Sequence, residues 1–324
     1  MHDRLFGSVT VILVALLIPF SALAQQLESR ALLWQDRGSV SELDLIAGPG
    51  GSDHQPGTRF RFLKESTGGT APKFEVEDEN GVRWKVKLGP EVKAETAATR
   101  LVWAAGYFVD EDYYRPQIQV EGLKRLERGQ NYVRDGNTVM SVRLERPHGG
   151  PEAAEWSWFD NAFMGTREFN GLRVMMALIN NWDLKDINNA VYFGPDHSVF
   201  LVADLGGVLG RTGNPFTRSK GVAKDYADTS FVRKVSGQHV DFVLHSRPTL
   251  LTLFSNIKYY RLRTKMETLA KNIPIDDARW IGSQLGRLSS DQIGDCFRAG
   301  GFSEKEVDIY TRAVAKRIAA LNSL

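Results

Sequence analysis

One decapeptide constrains this chain more than any other: Asn180-Asn181-Trp182-Asp183-Leu184-Lys185-Asp186-Ile187-Asn188-Asn189, set between apolar stretches. Upstream, Leu172, Met175, Met176 and Ile179 recur at the three-and-four spacing of one buried helix face. Downstream, Ala190-Val191-Tyr192-Phe193 and Val199 to Ala203 read as strands joined by a turn at Gly194-Pro195-Asp196. Polar groups this close to core need hydrogen bonds or a ligand to offset their desolvation. An antiparallel pair closed by that turn returns Asp204, in Asp204-Leu205-Gly206-Gly207, to the side of Asp183 and Asn188. The fold must therefore accommodate two carboxylates and an amide in one place.

The 324 residues, 42% hydrophobic and 25% charged, suffice for one large domain or two closely packed lobes and exclude disordered and collagen-like classes. Residues 25–57 read as an extension, ending in the turn-rich Gly48-Pro49-Gly50-Gly51 and Pro56-Gly57, where regular elements are not expected. Strands follow at Arg59 to Lys64, Phe74 to Glu77 and Arg83 to Leu88, the last two joined through the tight-turn pair Asn80-Gly81. These three are expected to be antiparallel. Ala94, Ala97, Ala98, Leu101, Val102 and Ala105 then mark a helix ending at Gly106. Gln117 to Leu123 and Thr138 to Leu144 add two strands, and Pro147-His148-Gly149-Gly150-Pro151 reads as a connection. Beyond it the pattern turns helical, with buried faces expected around Leu250 to Tyr260 and Ala278 to Leu288. Ser303 with Glu306 forms a capping box before Val307, Tyr310, Val314 and Ile318. The expected class is α+β: a small antiparallel sheet with one helix over 58–147, then a mostly helical unit over 148–324.

Two oxygen side chains beside a positioned carboxylate suit phosphoryl transfer, because Mg²⁺ binds through one or two such groups plus phosphate oxygens. Asn188 and Asp204 are the candidate metal ligands, Asp183 would orient or deprotonate an acceptor hydroxyl, and Lys185 would neutralise charge on the transferred group.

The pattern Asp183-Leu184-Lys185 with Asn188 resembles the catalytic loop of protein kinases, and Asp204-Leu205-Gly206 resembles their Asp-Phe-Gly element with Leu for Phe. Asn181-Trp182 stands where those kinases carry His-Arg, a departure that resembles the HipA-like and phosphatidylinositol-kinase-like branches. Ser66-Thr67-Gly68-Gly69-Thr70-Ala71-Pro72-Lys73 is similar to the HipA-like phosphate loop, in which glycines let backbone N–H groups approach phosphate. The resemblance spans Arg59 to Gly210. It implies a two-lobed protein-kinase-like fold that binds ATP with Mg²⁺ or Mn²⁺, using Gly68, Gly69 and Lys73 from the loop, Lys87 for the phosphates and Glu95 to hold Lys87. Lys85 shares a strand face with Lys87, and Glu91 competes with Glu95, so both pairs stay open.

Two functional readings follow: an ATP- and metal-dependent phosphotransferase for a protein, lipid or small hydroxyl acceptor, or an inactive kinase-like protein that binds or scaffolds. A different nucleotide-dependent transferase on the same scaffold, such as an adenylyl or glutamyl transferase, is a third. The acceptor carries no sequence signature. Arg4, the apolar run Val9 to Phe20 and Ala22-Leu23-Ala24 read as an export signal cleaved near Ala24, leaving no later membrane span; an uncleaved anchor is the alternative. Lysine and arginine total 41 against 39 acidic residues, too even for nucleic acid as the main partner. Cys296 is the only cysteine, which rules out an intramolecular disulfide, and it reads as buried and inert. The six histidines include no metal-binding helical pair. Trp103, Trp156, Trp158 and Trp182 are expected mostly in core or lobe contacts.

Overall fold

The computed structural model describes residues 31–148, 152–194 and 196–324. The expected leader at 1–24, Gly149 to Pro151 of the expected connection and Pro195 of the expected turn lie outside the described residues.

The strands are β1 (Ala31–Leu32), β2 (Arg59–Ser66), β3 (Lys73–Asp78), β4 (Arg83–Leu88), β5 (Phe108–Val109), β6 (Asp112–Glu121), β7 (Val133–Arg134), β8 (Thr138–Glu145), β9 (Glu152–Ala154), β10 (Asn189–Phe193), β11 (Ser198–Val202), β12 (Val232–Ser236), β13 (His239–Phe242) and β14 (Ile273–Pro274). The helices are α1 (Val92–Ala104), α2 (Arg167–Leu178), α3 (Ala223–Ala227), α4 (Leu251–Ser255), α5 (Ile257–Met266), α6 (Ile275–Leu285), α7 (Ser290–Ala299) and α8 (Glu304–Asn322).

Strands β2, β3 and β4 form the expected antiparallel meander. Its β3–β4 turn is fixed by Asp78, whose Oδ1 accepts from the Asn80 and Val82 N–H groups. Alternation along β3 and β4 buries Phe74, Val76, Trp84, Val86 and Leu88 in one cluster with Tyr113, Ile118 and Leu144. The sheet is not wholly antiparallel, which corrects the expectation: β2 runs parallel to β6, with Arg59 opposite Gln119. Parallel neighbours need a long crossover, and β3, β4 and α1 supply it. Since β8 pairs with both β6 and β4, the ladder returns on itself.

A second cluster gathers one face of α1 with α2 and α6–α8. Gly300 lets the end of α7 close on α1, since a Cβ there would lie 2.5 Å from the Lys93 carbonyl oxygen. The capping box of Ser303 and Glu306 starts α8 as expected. Strands β10 and β11 pair antiparallel, Asn189 opposite Val202, and bring Val191, Phe200 and Val202 into this second cluster. The extension is more regular than its glycines suggest: β1 adds parallel to β11, and Leu33, Val40 and Leu45 join the helical core. Cys296 is buried, and burial holds its thiol far above the usual range. Among the described residues no helix is long and apolar enough to cross a membrane.

The Leu250 to Tyr260 segment departs furthest from expectation. Its helical pattern forms α4 and α5, broken at Asn256, but Leu250, Leu251 and Phe254 are 70%, 77% and 86% exposed. Only Arg263 and Met266 of α5 are buried, so among the described residues no other element covers the apolar face.

Candidate functional site

Lys87 is the penultimate residue of β4, on the face opposite Val86 and Leu88, and only 3% of it is exposed. Its Nζ lies 2.8 Å from Glu95 Oε2, 2.8 Å from Glu91 Oε1 and 3.3 Å from Asp204 Oδ1. Glu91 and Glu95, offered as alternatives by the sequence, thus both bind it, one turn apart at the start of α1. Directly across the ladder from Lys87 stands Arg143, a like charge that would repel it. Glu95 separates the two, with Oε2 on Lys87 and Oε1 3.3 Å from Arg143. Arg143 also reaches Asp112 at 2.7 Å and Glu145 at 3.1 Å.

This buried network sets its own protonation. Burial disfavours the Lys87 ammonium, but Glu95, Asp204 and Glu91 more than offset that and hold it well above the usual lysine range. Burial pushes the Glu95 carboxyl up to about 7, against the pull of Arg143 and Lys87. Asp204 goes the other way: despite burial, Lys87 and the Gly206 N–H hold it well below the usual carboxylate range. That N–H donates to Asp204 Oδ1 at 3.0 Å. Position 206 must be small, because a Cβ would lie 2.9 Å from Glu91 Oε1 and 3.0 Å from Asp204 Oδ1.

Most polar residues of the decapeptide shape its backbone. Asn180 donates to the Gly210 carbonyl, Asn181 accepts from the Asp183 N–H, Asp186 accepts from the Trp158 N–H, and Asn189 donates to the Trp156 carbonyl. Asp183, Lys185 and Asn188 remain at the cavity. Lys185 Nζ lies 2.9 Å from Asp183 Oδ2, while Arg263 Nη1 donates to Asp183 Oδ1 at 2.7 Å. The Asn188 carbonyl accepts from the N–H groups of Ala203 and Asp204, at 2.9 and 3.2 Å, which ties the decapeptide to the end of β11.

These groups share a cavity of about 450 Å³, lined also by Gly69, Lys73, Lys85 and Tyr192. Gly68 is not among its lining residues; its carbonyl, like that of Gly69, accepts from Arg128. Lys85 faces the same space, but its Nζ pairs with Glu145 at 2.9 Å and its side chain is 53% exposed. Of the four tryptophans expected in core or lobe contacts, Trp156, Trp158 and Trp182 are buried and Trp103 is partly buried.

The carboxylates of Glu91, Glu95 and Asp204 have oxygens within 4.8 Å of one another, yet the Lys87 ammonium already stands among them. That cluster is a cage for lysine. The donors that fit a divalent ion are Asp204, whose carboxylate is ionised and 42% exposed, and Asn188. Asn188 Nδ2 donates to the Asp183 carbonyl at 2.8 Å, so the amide oxygen is the end left for a ligand.

Three contributors escaped sequence reading. Arg143 becomes visible only once β4 and β8 are paired, and Arg263 lies 80 residues from Asp183. Lys220 ion-pairs with Glu91 Oε2 from 129 residues further along the chain. The buried arginines carry no local signal that separates them from solvated surface charges.

No protein-family model matches the chain, and no curated protein matches it. Among solved structures it is similar to the Helicobacter pylori proinflammatory kinase CtkA, at 12% identity over 83% of this chain and 98% of that one, with a TM-score of 0.45. It is also similar to a Golgi casein kinase, at 11% identity over 95% of this chain and 86% of that one, TM-score 0.36. A Golgi casein kinase structure with Mn and ADP bound matches at 12% identity over 89% and 77%, TM-score 0.34. Likenesses this distant leave the functional reading to rest on the geometry of the site.

Proposed function

We propose that the chain is a kinase-like phosphotransferase that uses ATP with Mg²⁺ or Mn²⁺. The observation that carries this reading is the Lys87 cage: an ammonium held by Glu95 from α1 and by Asp204 from a segment 117 residues away, at the wall of a cavity that also takes in Asp183 and Asn188. A cation fixed beside a metal-type carboxylate, facing a third carboxylate, is what a polyphosphate and an attacking hydroxyl require.

In this reading Lys87, aimed by Glu95 and Glu91, neutralises the phosphate tail, and Gly69 and Lys73 line the space beside it. Asn188 and Asp204 would hold the divalent ion, which supplies charge neutralisation between phosphates. Asp183 orients the acceptor hydroxyl and accepts its proton, with Lys185 beside it to offset charge on the group in transit. Residues 58–147 and 148–324 are then the two lobes of a protein-kinase-like fold, whose motifs resemble those of the HipA-like and phosphatidylinositol-kinase-like branches. The decisive experiment incubates the protein with labelled ATP and Mg²⁺ or Mn²⁺ in a cell extract. Label on the protein or on an acceptor, lost in Asp204→Ala, is expected; equal labelling by both proteins, or none, counts against the reading.

One observation favours the second reading, a binding protein without turnover: both Asp183 oxygens are already engaged, by Arg263 and by Lys185. Thermal shift separates the two, since a ligand bound only by the folded chain raises its melting temperature. A nucleotide-induced shift without any transfer would select the second reading. We further propose action outside the cytoplasm after removal of residues 1–24. Amino-terminal sequencing of exported protein should then read from Gln25, and an intact Met1 on cytoplasmic protein would refute it.

A further inference from the structure

We propose that the surface carried by Leu250 to Leu262 docks onto an anionic lipid bilayer. Isolated exposed apolar side chains are ordinary, but a contiguous group marks an interaction surface. Here Leu250, Leu251, Phe254, Ile257 and Leu262 are 70%, 77%, 86%, 46% and 44% exposed within one stretch.

The charge pattern identifies the occupant. From Val243 to Met266 the chain has no aspartate or glutamate, but it has Arg247, Lys258, Arg261, Arg263 and Lys265. Arg263 turns inward to Asp183, and Arg247 pairs with Glu267. Lys258 and Arg261 stay exposed, with no carboxylate partner among the described residues. Exposed leucine and phenylalanine interleaved with unpaired lysine and arginine match a bilayer interface, where cations meet lipid phosphates and apolar side chains enter the acyl boundary. A second copy of this chain would set like charges against each other. An acidic protein would answer the cations but would also need a groove for five large apolar side chains. Because α5 carries Arg263 on its buried side, a docked bilayer would lie beside the Asp183 end of the cavity. The inference stands without any phosphotransferase activity.

The test is co-sedimentation of the full chain with vesicles of phosphatidylcholine and phosphatidylglycerol in equal parts, and with phosphatidylcholine alone. Binding to the mixed vesicles is expected to exceed binding to the neutral ones at least about tenfold. The variant L250S/L251S/F254S should lose about tenfold or more, and K258E/R261E should lose the preference for anionic lipid. Both retain every apolar residue at the amino terminus, so loss in either assigns binding to this surface, and unchanged melting temperatures confirm that they fold. Equal sedimentation of wild type and both variants overturns the proposal. So does retention on a polyglutamate matrix without vesicle binding, or a dimer that the serine variant dissolves.

Discussion

Lys87 and Asp183 are both charged residues ringed by charged partners at one cavity, but the two rings differ in depth. Lys87 is 3% exposed, and Glu95, Arg143 and Asp112 behind it are equally enclosed. The Asp183 side chain is 22% exposed and its partner Lys185 is 36% exposed, with only Arg263 fully enclosed. A buried charge network must be complete to be tolerated, because removing one member strands the others without water. A half-open one can exchange a partner for solvent or substrate. The cage around Lys87 should therefore support folding and function together, whereas the Asp183 loop should be separable into function with little stability.

The largest effect expected is that of Lys87→Met. It removes the ammonium from among three carboxylates, so transfer should fall about a thousandfold and stability should fall by about 3 kcal/mol in urea denaturation. A stability loss below about 1 kcal/mol would mean that the carboxylates relax into solvent or protonate freely, and the contrast in depth would lose its meaning.

Asp183→Asn should cut transfer about a hundredfold or more. The amide oxygen can still accept from Arg263, so the stability change should stay near 1 kcal/mol. Equal destabilisation by the Lys87 and Asp183 variants would break the distinction between cage and loop.

A third difference is a pH dependence that belongs to the cage. Glu95 titrates near 7 when folded and from 4.5 in the absence of burial. Between those values the folded chain keeps a proton that the unfolded chain has lost, so stability falls as pH rises. The contribution of Glu95 is complete below 4.5 and gone above about 7. Glu95→Gln should flatten the stability profile across that window, measured as melting temperature against pH. A profile as steep as that of wild type would assign the slope to another group, with Asp110, pushed up to about 6 by burial, the first to examine.

How much of this was legible in the sequence depended on whether a signal was local. The Asn80-Gly81 turn, the helix after β4, the β10–β11 pair and the Ser303 capping box are each fixed by residues a few positions apart, and each forms as expected. Legible too was the convergence of Asp204 on Asn188, since one hairpin suffices to produce it. The parallel β2–β6 pairing was not, because nothing in either strand states its partner. Arg143 and Arg263 reach the site from β8 and α5, and a buried arginine reads like a surface one until its carboxylates are placed around it. Periodicity misled at Leu250 to Tyr260, where helical spacing of apolar residues gives helices but not the burial it implies.

The choice between Lys85 and Lys87 tests the comparison at its finest scale, since both line the cavity from the same strand. Lys85 is 53% exposed and pairs with Glu145, which retains Arg143 at 3.1 Å if Lys85 is removed. Coulombic attraction from Glu145 raises the Lys85 pKa, but solvent screens a pair this open, so Lys85→Ala should change stability by less than about 1 kcal/mol. Transfer should fall less than about tenfold, because Lys87 keeps its three carboxylates and Asp204 keeps its lysine. Melting curves and initial rates of the two lysine variants, measured side by side, decide the matter. If Lys85→Ala abolishes transfer while Lys87→Met merely unfolds the chain, Lys85 is the phosphate-binding lysine and the cage around Lys87 is a structural device.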